Sequence, residues 1–448
     1  MTPDIVLATR SDARLRQLPA FLRHHMQWCS RAFVLVCARP GEDVSEVTGY
    51  LDAEWPGKAM YDILRDAVFS NSDGMVALRD FIASHPPADL VLHLDKDEFI
   101  PRFTDVRGTA SSLVDDRYDY AEGWMACRLG PGLSKYPDSL PTYDAFHAAA
   151  PVRAEVVKAH GRPTRKVWLA GWPHTRIHSP LDGWRKAPGL SVIDHFTWTG
   201  SRLALVKEKA FMHLYNEADY GWVRDYAKWE VMFDKRGDEA MDIVKRTFIP
   251  ISCSVPGWFN YRDMYQMIVD KAPAGSTVVE IGVYRGRSLA YMAEYAALVG
   301  KKLDIVGIDQ FDPGWKPVGP MPARMPYTDS DDMLRGVSSV LAECAPWNTP
   351  RLVRGDSAES AALFPDGSVF AVWLDGDHSE EGVRRDVLAW LPKVAPGGIL
   401  AGHDLGVKPF KVAEGLAAAG VRYSSAGGSS WVADPSPTTC CIANPPTP

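Results

Sequence analysis

Cysteine is scarce and unpatterned in this chain of 448 residues: Cys29, Cys37, Cys127, Cys253, Cys344, Cys440 and Cys441 are scattered, with no C-x-x-C spacing for zinc or redox chemistry. An odd, dispersed set reads as reduced thiols, and a cytoplasmic location is expected. Apolar stretches such as 278–283 and 370–374 fall far short of the roughly 20 residues that span a bilayer. Met1-Thr2-Pro3-Asp4 begins no cationic segment followed by an apolar one, so no export signal is expected. Positive charge is not in excess either: 49 Lys and Arg against 56 Asp and Glu leave a net charge of −7, which argues against a nucleic-acid partner.

What is present is an ordinary globular composition, 46% hydrophobic and 23% charged, in a chain too long for one core. Two α/β series are expected. The first alternates strand-like 4–8, an amphipathic run from Ala13 to Trp28, strand-like 32–36, a helical stretch ending near Ser84, and a strand at 90–94 that stops at Asp95-Lys96-Asp97-Glu98-Phe99. From Phe103 to about Pro188, Gly, Pro and aromatic residues suggest turns and short strands, with Trp124, Trp168, Trp172 and Trp184 as core or as a pocket wall. A helical, charged stretch follows from Leu203 to Lys245, and breakers at 249–257 mark the boundary. The expected domains are 1–248, 249–436 and a frayed tail, 437–448.

In the second series, Val278-Val279-Glu280-Ile281-Gly282-Val283-Tyr284-Arg285-Gly286-Arg287-Ser288 reads as strand, glycine turn and helix start, the pattern that lets backbone approach a cofactor. Asp309 ends the next strand about 20 residues past the second glycine, where a ribose-binding acid belongs. On these residues the segment 254–434 resembles a class I S-adenosylmethionine-dependent methyltransferase. The resemblance implies a Rossmann-like fold, with Glu280, Gly282, Gly286 and Ser288 along the methionine part of S-adenosylmethionine, Asp309 on the ribose, and Asp356 and Ser357 beside the adenine.

Asp375-Gly376-Asp377-His378 and Gly402-His403-Asp404 sit at predicted strand ends, the edge of a parallel sheet where ligands bind. They resemble the sugar and macrolide O-methyltransferases and their cephalosporin-hydroxylase-like relatives, which implies Mg2+ on Asp375 and Asp404 and a substrate hydroxyl activated beside it. Asp377 or His378 is the candidate base. His403 stands where the family places an acid and is open as ligand, base or neither. Asp377 and Ser379 also read as caps of the helix through Val383 and Val387, the reading favoured for Ser379.

In the first series, Asp95-Lys96-Asp97-Glu98-Phe99 resembles the DxDEF segment of GT-A glycosyltransferases of the family-2-like and family-92-like groups. That resemblance implies a GT-A-like α/β domain, a nucleotide-sugar donor, a glycan acceptor, and Mn2+ or Mg2+ held by Asp95, Asp97 and the late His195. His24 and His25 read better as core or helix surface than as site residues. The whole chain therefore reads as a glycosyltransferase joined to a sugar O-methyltransferase. The alternative is a methyltransferase whose front domain binds glycan or serves as a scaffold.

Overall fold

The computed structural model describes residues 2–65, 71–102, 104–134, 137, 139–155, 165–173, 183–187, 191–195, 241, 244–246, 248–314 and 327–434. Most of the stretch 203–245 and the tail 437–448 lie outside them. The chain divides into two units, Met1–Ile249 and Pro250–Pro448. No helix among the described residues is long and apolar enough to cross a membrane.

The first unit runs β1 (Ile5–Asp12), α1 (Leu18–His25), β2 (Arg31–Ala38), α2 (Ser45–Glu54), β3 (Ala59–Arg65), α3 (Asn71–Ala83), β4 (Leu90–His93) and β5 (Glu98–Phe99). It continues through α4 (Val106–Asp115), β6 (Tyr120–Leu129), α5 (Tyr143–Ala149), β7 (Val152–Glu155), β8 (Arg165–Gly171) and β9 (Ser191–His195). The sheet order is β3-β2-β1-β4-β8-β6-β9-β5, with β7 on β6. β3, β2, β1 and β4 are parallel, whereas β8 joins β4 and β6 antiparallel.

Two sequence readings need correction here. The amphipathic run from Ala13 forms a helix only from Leu18, with Pro19 in its first turn where a missing N–H costs nothing. The single helical stretch ending near Ser84 is α2, β3 and α3: β3 is a half-exposed edge strand whose Asp62 and Arg65 break the apolar run expected of a buried strand. His24 and His25 are core residues. The Ile100 amide donates to His25 Nε2 at 3.2 Å, so the ring proton lies on Nδ1, which donates to the Phe21 carbonyl at 2.9 Å. Burial, then the neighbouring His24, pushes the His25 pKa well down and keeps the ring neutral. Trp168 is fully buried and Trp172 packs on Phe33.

The second unit runs α6 (Arg262–Lys271), β10 (Thr277–Ile281), α7 (Arg287–Leu298), β11 (Asp304–Asp309), α8 (Ser330–Cys344), β12 (Arg351–Arg354) and α9 (Ser357–Ser360). Then come β13 (Val369–Leu374), α10 (Glu380–Trp390), β14 (Val394–Gly402), α11 (Val412–Ala418), β15 (Tyr423–Ser425) and β16 (Trp431–Ala433). The order is β12-β11-β10-β13-β14-β16-β15, parallel through β14, with β16 antiparallel on β14 and β15 antiparallel on β16. Strand order reverses between β10 and β13, so the crossovers leave a crevice at their carboxyl ends. Val279, Ile281, Val306, Val372 and Leu374 pack against Val383, Val387 and Trp390 of α10. Ser379 caps that helix, its Oγ accepting from the Gly382 amide at 3.0 Å. Ser379→Ala is expected to cost about 1 kcal/mol, read as a lower urea midpoint at unchanged slope.

Candidate active site at the carboxyl edge of the second sheet

Three glycines and three left-handed residues shape this edge. Gly282 follows β10 at φ 88°, and a Cβ there would lie 2.1 Å from the Asp375 carbonyl oxygen, so only glycine lets the two strand ends approach. Gly286, at φ 83°, caps the amino end of α7. Gly402 closes β14 with Trp431 and the Leu374 carbonyl against the place a Cβ would take. Tyr284, Phe311 and Asp404 adopt φ of 52°, 53° and 60°, a strained region for side-chain-bearing residues that clusters at binding edges.

Asp309 pins the first of these loops. Its Oδ2 accepts from the Val283 and Tyr284 amides at 2.8 and 3.0 Å, and its Oδ1 accepts from the Phe311 amide at 2.7 Å. A carboxylate offers about four acceptor positions, so room for a ribose hydroxyl remains. Glu280 does not open on the crevice: it is fully buried, accepting from Ser288 Oγ at 2.6 Å and Tyr265 Oη at 2.9 Å. Burial outweighs those bonds and pushes its pKa up to about 8. Glu280 and Ser288 therefore form the floor under the glycine loop and not its lining. Asp356 caps α9 through the Glu359 amide at 3.0 Å and pairs with Arg385 at 3.0 Å, while Ser357 Oγ donates to Asp386. Both side chains already have structural partners.

Asp375 and Asp404 come together because β13 and β14 run parallel with Leu374 beside Gly402. His378 stands between them, its Nε2 3.4 Å from Asp375 Oδ1 and 2.9 Å from Asp404 Oδ2. The outer oxygens are taken too: Tyr261 Oη donates to Asp375 Oδ2 at 2.8 Å, and His403 Nδ1 lies 3.3 Å from Asp404 Oδ1. Burial lowers the His378 pKa, but its bonds to both acids outweigh that and raise it to about 9. Asp404 is displaced upward by burial and more strongly downward by His378 and His403, and ends below the usual carboxylate range.

This geometry reassigns the candidate bases. A protonated His378 cannot accept a proton, so in this state it is a donor bridging two carboxylates. Asp377 is exposed and accepts from the Ser379 amide at 2.9 Å, a turn role that leaves it outside the cluster. His403 has both nitrogens engaged, Nε2 with Ser429 Oγ at 2.8 Å, and orients Asp404. Tyr261 was not singled out by the sequence; only its place in the aromatic run Trp258-Phe259-Asn260-Tyr261 before α6 hinted at it.

Asp375, His378 and Asp404 each offer one ligand atom within 4.8 Å of the others, the only such metal-competent trio among the described residues. The donor set suits a divalent cation, with two hard carboxylates and an imidazole.

Residues 279–405 match the family model described as a methyltransferase domain. The second unit contains a class I S-adenosylmethionine-dependent methyltransferase domain. Solved structures similar to the chain include a Corynebacterium glutamicum protein from a structural-genomics effort, at 14% identity and TM-score 0.30, covering 47% of this chain and 96% of that one. A TDP-rhamnose 3′-O-methyltransferase of calicheamicin biosynthesis matches at 18% identity and TM-score 0.27, over 38% of this chain and 76% of its own. A TehB-like S-adenosylmethionine-dependent methyltransferase, also from C. glutamicum, matches at 15% identity and TM-score 0.27, over 40% and 88%.

The acidic turn of the first unit is built differently. Asp95 Oδ1 faces Arg10 Nη2 at 3.2 Å and its Oδ2 faces Lys166 Nζ at 3.3 Å. Lys166 also pairs with buried Glu98, and Lys96 pairs with Asp12. Asp97 is buried two residues on, and the backbone of His195 lies opposite Glu98 where β5 meets β9. The His195 side chain lies outside the described residues, and Asp95 and Asp97 belong to no group of three metal-competent side chains among the described ones. A divalent ion does not fit Asp95 as it stands, because both its oxygens already face cations.

Proposed function

We propose that the second unit moves the methyl group of S-adenosylmethionine onto a hydroxyl oxygen of a sugar-like acceptor, with a divalent cation held by Asp375, His378 and Asp404. The observation that carries this reading is the placement of two carboxylates and an imidazole on adjacent strand ends, touching the glycine loop through the Gly282 to Asp375 contact. S-adenosylmethionine brings an electrophilic methyl on a sulfonium. A bound Mg2+ would lower the pKa of an acceptor hydroxyl and hold a neighbouring oxygen in place. Tyr261 and His403 orient the two acids, and His378 must shed its proton to serve as a ligand. Gly282, Gly286 and Asp309 hold the cofactor loop against that site.

The test is transfer of labelled methyl from S-adenosylmethionine to a panel of nucleotide sugars bearing vicinal hydroxyls, with and without EDTA. Asp404→Asn is expected to cut transfer at least about 100-fold and to leave S-adenosylhomocysteine binding intact. Transfer indifferent to both EDTA and the substitution would sink the metal-assisted reading, and failure to bind S-adenosylhomocysteine would sink methylation itself.

For the first unit, a second reading is transfer of a sugar from a nucleotide-sugar donor to a glycan acceptor. It is supported by the position of Asp95 and Asp97 at the carboxyl end of the parallel block β3-β2-β1-β4, the ligand edge of such sheets. Calorimetry with nucleoside diphosphates decides it: no binding would leave a glycan-binding or scaffold role.

A further inference from the structure

We infer that an internal ammonium, that of Lys166, takes the place of a divalent cation in the first unit, so that its acidic turn works without a metal. This holds whether or not that unit transfers sugar. The argument begins with register. β1 and β4 pair parallel with Ala8 beside His93, and continuing two residues sets Arg10 beside Asp95. β4 and β8 pair antiparallel as far as Leu92 beside Leu169, and Lys166, three residues before Leu169 on β8, reaches Asp95 from the other flank with its Nζ 3.3 Å from Oδ2. The two strands that sandwich β4 thus each deliver one cation to the same carboxylate.

The side chains realise that register. Arg10 and Lys166 take one oxygen of Asp95 each, and Lys166 Nζ also binds Glu98. Glu98 Oε2 in turn accepts from the Asp95 amide at 2.8 Å, closing a ring through Lys166, Asp95 and Glu98. The Lys166 side chain is fully buried, so its charge cannot be left to solvent and must be matched by these acids. Lys96, between the two aspartates, turns back to Asp12 and the Arg14 carbonyl. Three cations, Arg10, Lys96 and Lys166, are thereby paired with three anions, Asp12, Asp95 and Glu98. A dication at Asp95 would face Arg10 and Lys166 at close range and would have to displace one of them.

The experiment counts bound Mn2+ on the full chain by electron paramagnetic resonance. Wild type is expected to hold no more than one tightly bound ion, lost in Asp404→Asn and unchanged in Asp95→Asn. An ion lost in Asp95→Asn, or one that survives Asp404→Asn, would overturn the inference. A count of zero in wild type would support it and would instead remove the metal from the proposed methyl transfer. In the Asp404→Asn background, Lys166→Met is expected to gain one Mn2+ and to melt at a higher temperature in its presence, as a freed pair of acids would demand. A folded Lys166→Met protein that gains no ion would show that Lys166 does not stand in the cation's place. If this variant does not fold, the wild-type and Asp95→Asn counts still decide.

Discussion

Gly282→Ala is expected to cost roughly 2–4 kcal/mol of stability and to weaken S-adenosylhomocysteine binding by more than about tenfold. Two penalties add at this position. The left-handed φ of 88° strains any residue with a Cβ, at roughly 1–2 kcal/mol. The new methyl also meets the Asp375 carbonyl oxygen at 2.1 Å, its carbon at 2.6 Å and the Gly376 nitrogen at 2.9 Å, all backbone atoms that cannot swing aside. Relief requires parting the ends of β10 and β13 or turning the 375–376 peptide, and either displaces Asp375 from His378. Gly406→Ala isolates the first penalty: its φ is 75°, but nothing lies within 4 Å of the added carbon. The two variants, compared by urea unfolding and calorimetry, should differ in both readouts. Equal behaviour would show that the strand ends are free to part.

Glu280→Gln is expected to change the pH dependence of stability more than stability at any single pH. Burial raises this carboxyl from an ordinary 4.5 to about 8 in the folded chain. Between those values the folded protein holds a proton that the unfolded chain has released, so wild type loses stability as pH climbs through that window and no further above it. At about 1.4 kcal/mol per pKa unit, the loss is on the order of 5 kcal/mol. Glutamine imitates the protonated acid, one donor and one acceptor for the Tyr265 and Ser288 hydroxyls, and does not titrate. The variant should therefore gain on wild type progressively from pH 5 to pH 8.5 in urea titrations. Parallel curves would mean that Glu280 is ionised throughout and that its two hydroxyl partners suffice to hold the charge.

Much of the second unit was legible in sequence because its signals are local. An apolar strand, a glycine turn and an acid at the next strand end occupy contiguous residues, and β10, α7 and β11 fall within a residue or two of where the pattern puts them. Asp375 and Asp404 were legible as strand-end acids for the same reason. The role of His378 was not: the sequence offered it as a candidate base, and its place between two acids appears only when the Asp404 carboxylate is brought to its other side. Nor was Tyr261, which is 114 residues from the acid it supports. In the first unit, β3 escaped notice because an edge strand needs only one covered face and so carries a weak apolar signal.

By itself, the sequence determined which residue types stand at which strand ends, that there are two α/β series, and that the second carries a cofactor loop. Tertiary structure decided what surrounds those acids. The motif Asp95-Lys96-Asp97-Glu98-Phe99 looks the same in a line of text whether it faces solvent, a metal or a buried lysine. The registers of β1 and β8 against β4 bring Arg10 and Lys166 to Asp95, whereas the register of β14 against β13 brings a second carboxylate to Asp375. Charge compensation acts over a few ångströms of space between residues far apart in the chain. That distance is set by strand pairing, which is why the two acidic motifs have opposite surroundings.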